Sequence, residues 1–427
     1  MHEAASRTVR IAGALLTLAL LAGCDWAQPN YGPERSRFNP ETGITADNVG
    51  SLSVQWADTF TGGTSAPLVA GDRVFFTHTD PTAGTIDAEA VDAATGAPAW
   101  DTNLITHVGS PLLFGFGAAL SGDRLWTSYA DPAGTALVRL DRDTGAIVGS
   151  DAEFVSSPVV TGDDVIAYTR PNGGFTETLL VVRDASSLAP LWTASVPGGG
   201  SGMIAISHGR LYLAAGSSVY AFTPSGCGAT TCAPLWQRST TGTSINALAV
   251  GPDDQVVTTT PFQWLTVNGQ NRPSPSFLKA YDGATGTDLW SGAVTSTTSG
   301  LAITADTVFV TEQQVAANPN PPSSPAMGSN RLAAFPLAGC GAATCSALWE
   351  AAFPTAPSPP VVGGDVVFTA VEDTLSALDA DGCGATSCAP LASFPGLGSP
   401  AAVANGRLLT TSAGGSGTTT LRAVAPS

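Results

Sequence analysis

The chain repeats an eleven-residue phrase at regular intervals. Residues 90–100 read AVDAATGAPAW and residues 280–290 read AYDGATGTDLW, and weaker copies occupy residues 140–149 and 183–192. Six tryptophans close this phrase or its variants: Trp56, Trp100, Trp192, Trp236, Trp290 and Trp349. Two intervals between these tryptophans are 44 residues and a third is 92, or two periods of 46. A period of about 40–50 residues in a strand-rich chain predicts the blades of a β-propeller.

Each phrase predicts a tight turn between two strands. In the first copy, Asp92 can accept hydrogen bonds from backbone groups two residues on, and Gly96 can adopt the positive φ that the turn needs. Asp282 and Gly286 hold the same positions in the second copy. The tryptophan that follows would lie on the outermost strand of a blade, where its large ring can pack against the next blade. We therefore interpret these residues as structural.

A second phrase precedes the first in each period. Its clearest copies occupy residues 65–77, 157–169, 358–370 and 399–411, each an apolar run, a turn and a second apolar run. This pattern predicts a hairpin that supplies the first two strands of a blade. We expect fourth strands to end near residues 56, 100, 148, 192, 236, 290, 349 and 391. The chain is thus predicted to be an all-β, eight-bladed propeller of four-stranded antiparallel blades, with residues 52–56 completing the C-terminal blade; seven blades is the main competing count.

Charge excludes one class of partner. The chain has 427 residues, a formal charge of −17 and a single lysine, Lys279. An acidic chain without a basic groove cannot neutralise the phosphates of a nucleic acid, so we expect none as partner. We expect a monomer.

The N-terminus predicts export. Arg7 and Arg10 precede an apolar run, residues 11–20, that is too short to span a bilayer. The run ends in Leu-Ala-Gly before Cys24, which resembles the lipobox of bacterial lipoproteins. That resemblance implies a signal peptide over residues 1–23, lipid on Cys24 and a location on the outer side of a bacterial cell membrane, facing the periplasm or the exterior. The alternative is an ordinary secretory signal with a chance cysteine. We expect a short linker over residues 24–43 and a propeller over residues 44–427.

Six further cysteines form three C-x₄-C pairs in repeated contexts. Each pair replaces the turn between the third and fourth strands, so its two Cα atoms come within disulfide range. An exported chain permits oxidation. We predict three disulfides, each closing a local hairpin and none joining distant blades: Cys227–Cys232, Cys340–Cys345 and Cys383–Cys388. Zinc is the alternative, but this spacing is unusual for a zinc site and the pairs fall in separate blades, so we expect no metal.

The repeated phrase resembles the tryptophan-docking motif of pyrroloquinoline quinone (PQQ) repeat propellers. The N-terminal stretch, with SRFNP at 36–40 and ITADNV at 44–49, also resembles the entry segment of that superfamily. The resemblance covers roughly residues 26–427 and implies the fold more specifically than the activity. One branch of the family contains quinoprotein dehydrogenases, which use PQQ with calcium. The other contains non-catalytic scaffolds such as the outer-membrane assembly lipoprotein BamB.

The sequence departs from the enzymes of that family. Their cofactor stacks on a disulfide of adjacent cysteines, and no two cysteines are adjacent here. We find no motif for a nucleophile, a phosphate loop or a metal, and assign no catalytic residue. The chain is predicted to be a non-catalytic protein-binding scaffold without a cofactor. The alternatives are a PQQ-dependent oxidoreductase with calcium, and a lipoprotein that binds cell wall or polysaccharide.

Two insertions are the predicted partner-binding loops. Residues 261–277 and 312–331 lengthen their periods to 54 and 59 residues, and both fall between second and third strands of adjacent blades. Loops on a rigid scaffold often carry binding residues. The candidate contact residues are two aromatics in the first loop and two prolines in the second: Phe262, Trp264, Pro321 and Pro322. Tolerated variation in loop length is the structural alternative.

Overall fold

The chain forms a ring of eight four-stranded antiparallel blades, which confirms the predicted count. The computed structural model describes residues 25–106, 114–131, 134–152, 159–160, 165–173, 176–199, 202–240, 244–267, 270–274, 276–294, 297–314 and 328–427. Before the first blade come β1 (Phe38–Asn39), a 3₁₀ turn (Val49–Ser51) and β2 (Leu52–Thr61).

The first four blades are built from consecutive strands. Blade 1 consists of β3 (Leu68–Ala70), β4 (Arg73–Asp80), β5 (Thr85–Asp92) and β6 (Pro98–Thr106). Blade 2 consists of β7 (Phe114–Ser121), β8 (Arg124–Asp131), β9 (Gly134–Asp141) and β10 (Ile147–Asp151). Blade 3 consists of β11 (Val159–Val160), β12 (Val165–Asn172), β13 (Glu177–Asp184) and β14 (Pro190–Pro197). Blade 4 consists of β15 (Met203–Ser207), β16 (Arg210–Ala215), β17 (Ser218–Phe222) and β18 (Trp236–Ser239).

The other four blades carry the insertions and the ring closure. Blade 5 consists of β19 (Ala247–Val250), β20 (Gln255–Thr260), β23 (Phe277–Asp282) and β24 (Asp288–Gly292), with the hairpin β21 (Gln263–Val267) and β22 (Gln270–Ser274) inserted. Blade 6 consists of β25 (Thr297–Ile303), β26 (Thr307–Gln313), β27 (Arg331–Pro336) and β29 (Trp349–Ala352), with β28 (Thr344–Cys345) before the last. Blade 7 consists of β30 (Val361–Gly363), β31 (Val366–Val371), β32 (Thr374–Asp379) and β33 (Ala392–Pro395). Blade 8 consists of β34 (Ser399–Ala404), β35 (Arg407–Ala413), β36 (Thr418–Pro426) and β2, with a 3₁₀ turn at Gly415–Gly417.

The ring closes as the sequence predicts. Strand β2 pairs antiparallel with β36, from Leu52 opposite Pro426 to Thr61 opposite Thr418, so both ends of the chain share blade 8. One detail of the prediction is wrong: the fourth strands begin near the repeated tryptophans and do not end there, as β6 and β14 show. The Asp-Thr-Gly turn is so short that the outer strand starts two residues before the tryptophan.

Burial explains why the inner strands read as continuous apolar runs. A blade is packed between two neighbours, so both faces of its central strands are covered; β17 is buried at every residue. The outermost strands are covered on one side only, and β14 alternates between exposed and buried residues. The alternating pattern appears in the outer strand because the two-residue period of a strand places successive side chains on opposite faces.

Six blade-to-blade contacts use the same pair of residues. The tryptophan of one outer strand lies on the glycine in the turn between strands three and four of the next blade. A β-carbon on that glycine would lie 2.5–2.9 Å from ring atoms of the tryptophan, so only glycine leaves room for the ring. These glycines also have φ values of 68–87°, which a side chain disfavours. The pairs are Trp56–Gly96, Trp100–Gly145, Trp192–Gly226, Trp236–Gly286, Trp290–Gly339 and Trp349–Gly382.

A hydrogen bond orients most of these rings. In five of the six pairs the indole Nε1 donates to a backbone carbonyl of the same turn, at 2.8–2.9 Å, the acceptors being Ala93, Arg142, Pro224, Gly283 and Leu337. The turn itself is held by its aspartate. Asp92 Oδ1 accepts from the backbone N–H groups of Ala94 and Thr95 and from the Thr95 hydroxyl, and Asp282 Oδ1 accepts from Thr285 in the same way.

The contact between blades 2 and 3 replaces both members of the pair. Gly149 holds the tryptophan position, and the Arg139 guanidinium fills the space beside it, 3.2 Å from where a β-carbon on Gly149 would lie. Arg139 donates to the carbonyl of Ser186 in the next turn. That turn carries Leu188 where the others carry glycine, and Leu188 packs against the buried cluster of this contact. With no ring to accommodate, a side chain at this position is tolerated.

The contact between blades 7 and 8 lacks the pair for a different reason. Ala392 holds the tryptophan position there. The third and fourth strands of blade 8 come from opposite ends of the chain, so no turn joins them and there is no glycine on which a ring could lie. The ends meet instead through a hydrogen bond from Ser427 N to the carbonyl of Ser51.

The three predicted disulfides are present, with Cα–Cα distances of 5.6–5.7 Å. The loops that they close have a wider role than the local one expected. Each loop forms a short parallel bridge to the outer strand of the preceding blade, with Thr193, Ser291 and Glu350 as the residues bridged. The loop of blade 4, for example, exchanges two hydrogen bonds of 2.9 Å with Thr193. The free edge of a strand offers unpaired backbone groups, and these loops occupy it.

The residues expected to form a short linker lie across the ring instead. Residues 25–43, which we call the strap, cross the ends of the innermost strands. Strap carbonyls accept from Leu120, Ile206, Val250, Ile303 and Val362, one inner strand each of blades 2 and 4–7, at 2.7–2.9 Å. Trp26 exchanges two bonds with Val69 of blade 1, and Asn39 Nδ2 donates to Val403 of blade 8. The strap packs in this way because its apolar side chains need burial: Trp26 is 0% exposed.

A matched pair of substitutions in blade 2 tests the docking contact. Gly122 and Gly145 both have positive φ, but a β-carbon on Gly122 meets nothing within 4 Å, whereas one on Gly145 would lie 2.6 Å from the Trp100 ring. We expect Gly122→Ala to cost about 1 kcal/mol of unfolding free energy, from backbone strain alone. Gly145→Ala should cost about 1–3 kcal/mol more, because the ring must move. Denaturant unfolding of both variants measures the difference, and equal losses would contradict the contact.

Candidate functional site

The strap places two arginines on the floor of the central channel. Successive side chains of the strap lie on opposite sides of it: Arg35 and Arg37 line a cavity of about 110 Å³ on the channel side. Glu34, Ser36 and Phe38 line a second cavity of about 280 Å³ on the opposite side. The smaller cavity is also bordered by the beginnings of inner strands, including Met203 and Asn246, while the strap crosses the ends of those strands. The strap thus closes the end of the central channel at which the inner strands end.

The two arginines differ in how they are held. Arg37 donates from Nε to the carbonyl of Pro360 and from Nη1 to Asn30 Oδ1, both at 2.6 Å. No hydrogen bond or ion pair of the Arg35 guanidinium is found among the described residues, and its Nε is buried. Burial lowers the pKa of Arg35 to about 10, and burial together with the Arg35 charge lowers the pKa of Arg37 to about 10. Both remain charged at neutral pH.

The cavity beside the two arginines does not fit PQQ. Its arginines would attract the carboxylates of the cofactor, but cofactor pockets measure roughly 300–1,000 Å³, and the cavity beside these arginines measures about 110 Å³. Within the described ranges, no group of three or more histidine, cysteine or acidic residues is placed to hold a metal ion.

The predicted binding loops emerge together from adjacent blades. The connections between strands two and three share one face of the ring with the connections between blades; we call it the loop face. Strands β21 and β22 form a separate two-stranded sheet there. Phe262 precedes this hairpin and is half-buried, and Trp264 lies in β21 opposite Pro273. Asn330 Oδ1 closes the base of the second loop by accepting from Gln314 N at 2.8 Å. Pro321 and Pro322 lie outside the described residues, as does Cys24.

Among the described residues, His208 Nδ1 lies near both a hydroxyl, that of Ser207, and an acid, Asp254 Oδ1 at 3.8 Å, so the two do not lie on opposite nitrogens of the imidazole as a proton relay requires. His208 lies in a turn, where its ring nitrogens contact the Ser207 hydroxyl and the carbonyl of Pro252. His107 lies outside the described residues.

No helix in the described part of the chain has the length and apolar character to cross a membrane.

An acidic cluster lies between blades 8 and 1. Glu89, on β5, is 8% exposed, and His78 Nε2 lies 3.6 Å from its carboxylate. The ring of Phe60 stacks on His78 at 4.8 Å between centroids. Burial, followed by the charges of Asp101, Asp58 and Asp87, raises the pKa of Glu89 to about 7. No sequence pattern predicts this cluster, because its members are brought together by pairing between strands.

The raised pKa of Glu89 predicts a pH-dependent stability. Below the usual value of 4.5 the carboxyl is protonated in both states, and between 4.5 and about 7 the folded state binds more protons. The free energy of unfolding should therefore fall as pH rises through this window, by on the order of 3 kcal/mol. Glu89→Gln should remove that part of the pH dependence. Denaturant unfolding from pH 4 to pH 8 measures it, and an unchanged slope in the variant would contradict the assignment.

Comparison with solved structures shows the same fold in two dehydrogenases and in a BamB protein. A europium-containing methanol dehydrogenase is 15% identical, with a TM-score of 0.64, over 96% of this chain and 100% of that one. The quinohemoprotein alcohol dehydrogenase from Comamonas testosteroni is 15% identical, with a TM-score of 0.66, over 97% and 82%. BamB from Moraxella catarrhalis is 17% identical, with a TM-score of 0.57, over 87% and 97%. At these identities the likeness shows the fold alone.

Sequence comparison identifies the family. No curated protein sequence matches the chain. A family model described as outer membrane protein assembly factor BamB matches residues 82–318, which is more than half of the chain. That stretch runs from blade 1 into blade 6 and contains four of the six docking tryptophans. The chain therefore belongs to the PQQ_2 family of BamB-like propellers.

Proposed function

We propose that this chain is a membrane-anchored, extracytoplasmic scaffold that binds another envelope protein and performs no chemistry. The anchor is lipid on Cys24 after removal of residues 1–23, as the lipobox-like sequence indicates. The propeller then lies on the outer side of the cell membrane. Membership of the BamB-like family supports this role, although the fold itself is shared with dehydrogenases.

The observation that carries the proposal is the hairpin of blade 5. Among the described strands, β21 and β22 pair only with each other. An isolated two-stranded hairpin has marginal stability in water, and both of its edges offer backbone groups to another strand. Strand β22 contains Pro273, which lacks an N–H group, so β21 is the edge with its full set of donors. An extended segment of a partner could add to β21, a common mode of peptide recognition.

The second loop strengthens this interpretation by its position. Blades 5 and 6 are adjacent, and both loops connect a second strand to a third, so they leave the ring on the same face. A partner strand bound to β21 would therefore lie on the face from which the second insertion also leaves the ring. The rigid blades beneath fix both loop bases, which lowers the entropy lost on binding.

Removing the hairpin tests the proposal. A variant in which Gly-Gly replaces residues 263–274 should fold, because the blade strands β20 and β23 pair directly with each other. We expect its melting temperature to stay within a few degrees of the unmodified chain, and in vivo crosslinking in native membranes to yield at least tenfold less of the partner adduct.

A control on the same blade shows whether the loop face is responsible. Leu289 is 45% exposed and lies at the other end of blade 5, beside the turn between strands three and four. Leu289→Ser should leave the adduct unchanged. Equal adduct from the hairpin variant and the unmodified chain would contradict the proposal. Saturable binding of PQQ in the presence of Ca²⁺ would instead support an oxidoreductase.

A further inference from the structure

We infer that the floor of the central channel is a binding site for a small oxyanion, of the size of phosphate or a short carboxylate, held by Arg35 and Arg37. This inference is independent of the proposed scaffold function, because it concerns the channel and not the loop face.

The donors of the site are already in place. Arg37 is fixed by the carbonyl of Pro360 and by Asn30, which bind its Nε and Nη1; no described residue binds its Nη2. Arg35 borders the same cavity and has no hydrogen-bond partner among the described residues. A guanidinium group presents its N–H donors in a planar fork that matches the oxygens of a carboxylate or phosphate. Two such groups at one cavity can bind one anion from two sides.

The charge of the site is uncompensated within the described residues. Neither arginine forms an ion pair there, although the chain as a whole carries a charge of −17. The nearest acid in sequence, Glu34, accepts from the Ser36 hydroxyl at 2.9 Å and lines the cavity on the other side of the strap. Buried charges are normally paired. The charge of Arg35 also lowers the pKa of Arg37, and an anion bound beside them would oppose that effect.

Both arginines of the site have an unusual backbone conformation. Arg35 and Arg37 have φ values of 63° and 52°, in the left-handed region that favours glycine. Such strain persists where the surroundings hold it, and it is frequent at binding sites. Hydrogen bonds from the inner strands of blades 5–7 to Glu34, Ser36 and Arg37 hold the strap in this conformation.

The size of the cavity sets the class of ligand. A volume of about 110 Å³ accommodates a few water-sized groups, since one water occupies about 30 Å³ in the liquid. This fits a phosphate, a sulfate or a short carboxylate and is too small for a nucleotide or a sugar chain.

Calorimetry on the purified full chain tests the site with inorganic phosphate and with succinate as separate probes. We expect saturable binding of at least one probe with one site per chain, and which of the two binds more tightly identifies the anion. Arg35→Gln should weaken that binding at least tenfold. The matched control, Arg124→Gln, removes an arginine paired with Asp123 and Asp141 at a turn of blade 2 and should bind as the unmodified chain does.

A second variant covers the case in which Arg35→Gln does not fold. Arg35→Lys keeps the charge and loses the planar fork, so it should fold and bind several-fold more weakly. Thermal unfolding monitored by circular dichroism identifies the folded variants. Absence of saturable binding of either probe up to millimolar concentration would overturn the inference. Equal binding by both Arg35 variants and the unmodified chain would also overturn it.

Discussion

The contact between a tryptophan and a glycine turn organises this propeller. The ring of one blade lies where the next blade has no side chain, and its indole nitrogen bonds the same turn. Each contact needs two residues on different blades, so a change at one is tolerated only with a change at the other. The contact between blades 2 and 3 illustrates this, since it has lost the tryptophan and carries Leu188 in place of the glycine. Blades also meet through apolar side chains, which fix the angle between them less precisely, and through polar contacts such as that of Arg210 with Asp254 at 2.8 Å.

The strap imposes a second constraint, on the axis of the ring. Inner strands end in backbone N–H groups that face the channel, and the carbonyls of residues 26–39 accept from them in blade after blade. A single short segment thereby joins blades that are far apart in sequence. It also closes the channel at one end and presents Arg35 and Arg37 to the interior, while the loop face opposite carries the hairpin of blade 5. The molecule thus has a closed face, a charged channel floor and a face with projecting loops, and the partner that we propose would bind the last of these.

The sequence predicts the fold well because the fold is repetitive. The repeated hairpin and turn predict the blade count, and the first strand, which has no hairpin before it, predicts the closure of the ring. The sequence does not distinguish the strap from a linker, because the strap binds the blades through backbone carbonyls, which leave no pattern in the residue types. Trp26 and Phe38 are the two large apolar residues that indicate burial of this segment. Arg35 and Arg37 match no sequence motif for an anion site. Their one signal is that two arginines lie two residues apart in a chain with only 17 lysines and arginines. The cysteine spacing does not predict the bridges from the disulfide loops to neighbouring blades, because those bridges depend on how adjacent blades lie against each other.

The most direct measurement of the docking contact is a double-mutant cycle on Trp236 and Gly286. A β-carbon on Gly286 would lie 2.6 Å from the Trp236 ring, so Gly286→Ala should cost more unfolding free energy in the unmodified chain than in the Trp236→Ala background. We predict a coupling free energy of about 1–2 kcal/mol, within the range for residues in direct contact. Losses that add to within about 0.3 kcal/mol would show that the two residues do not interact, and the blades would then be held by general apolar burial.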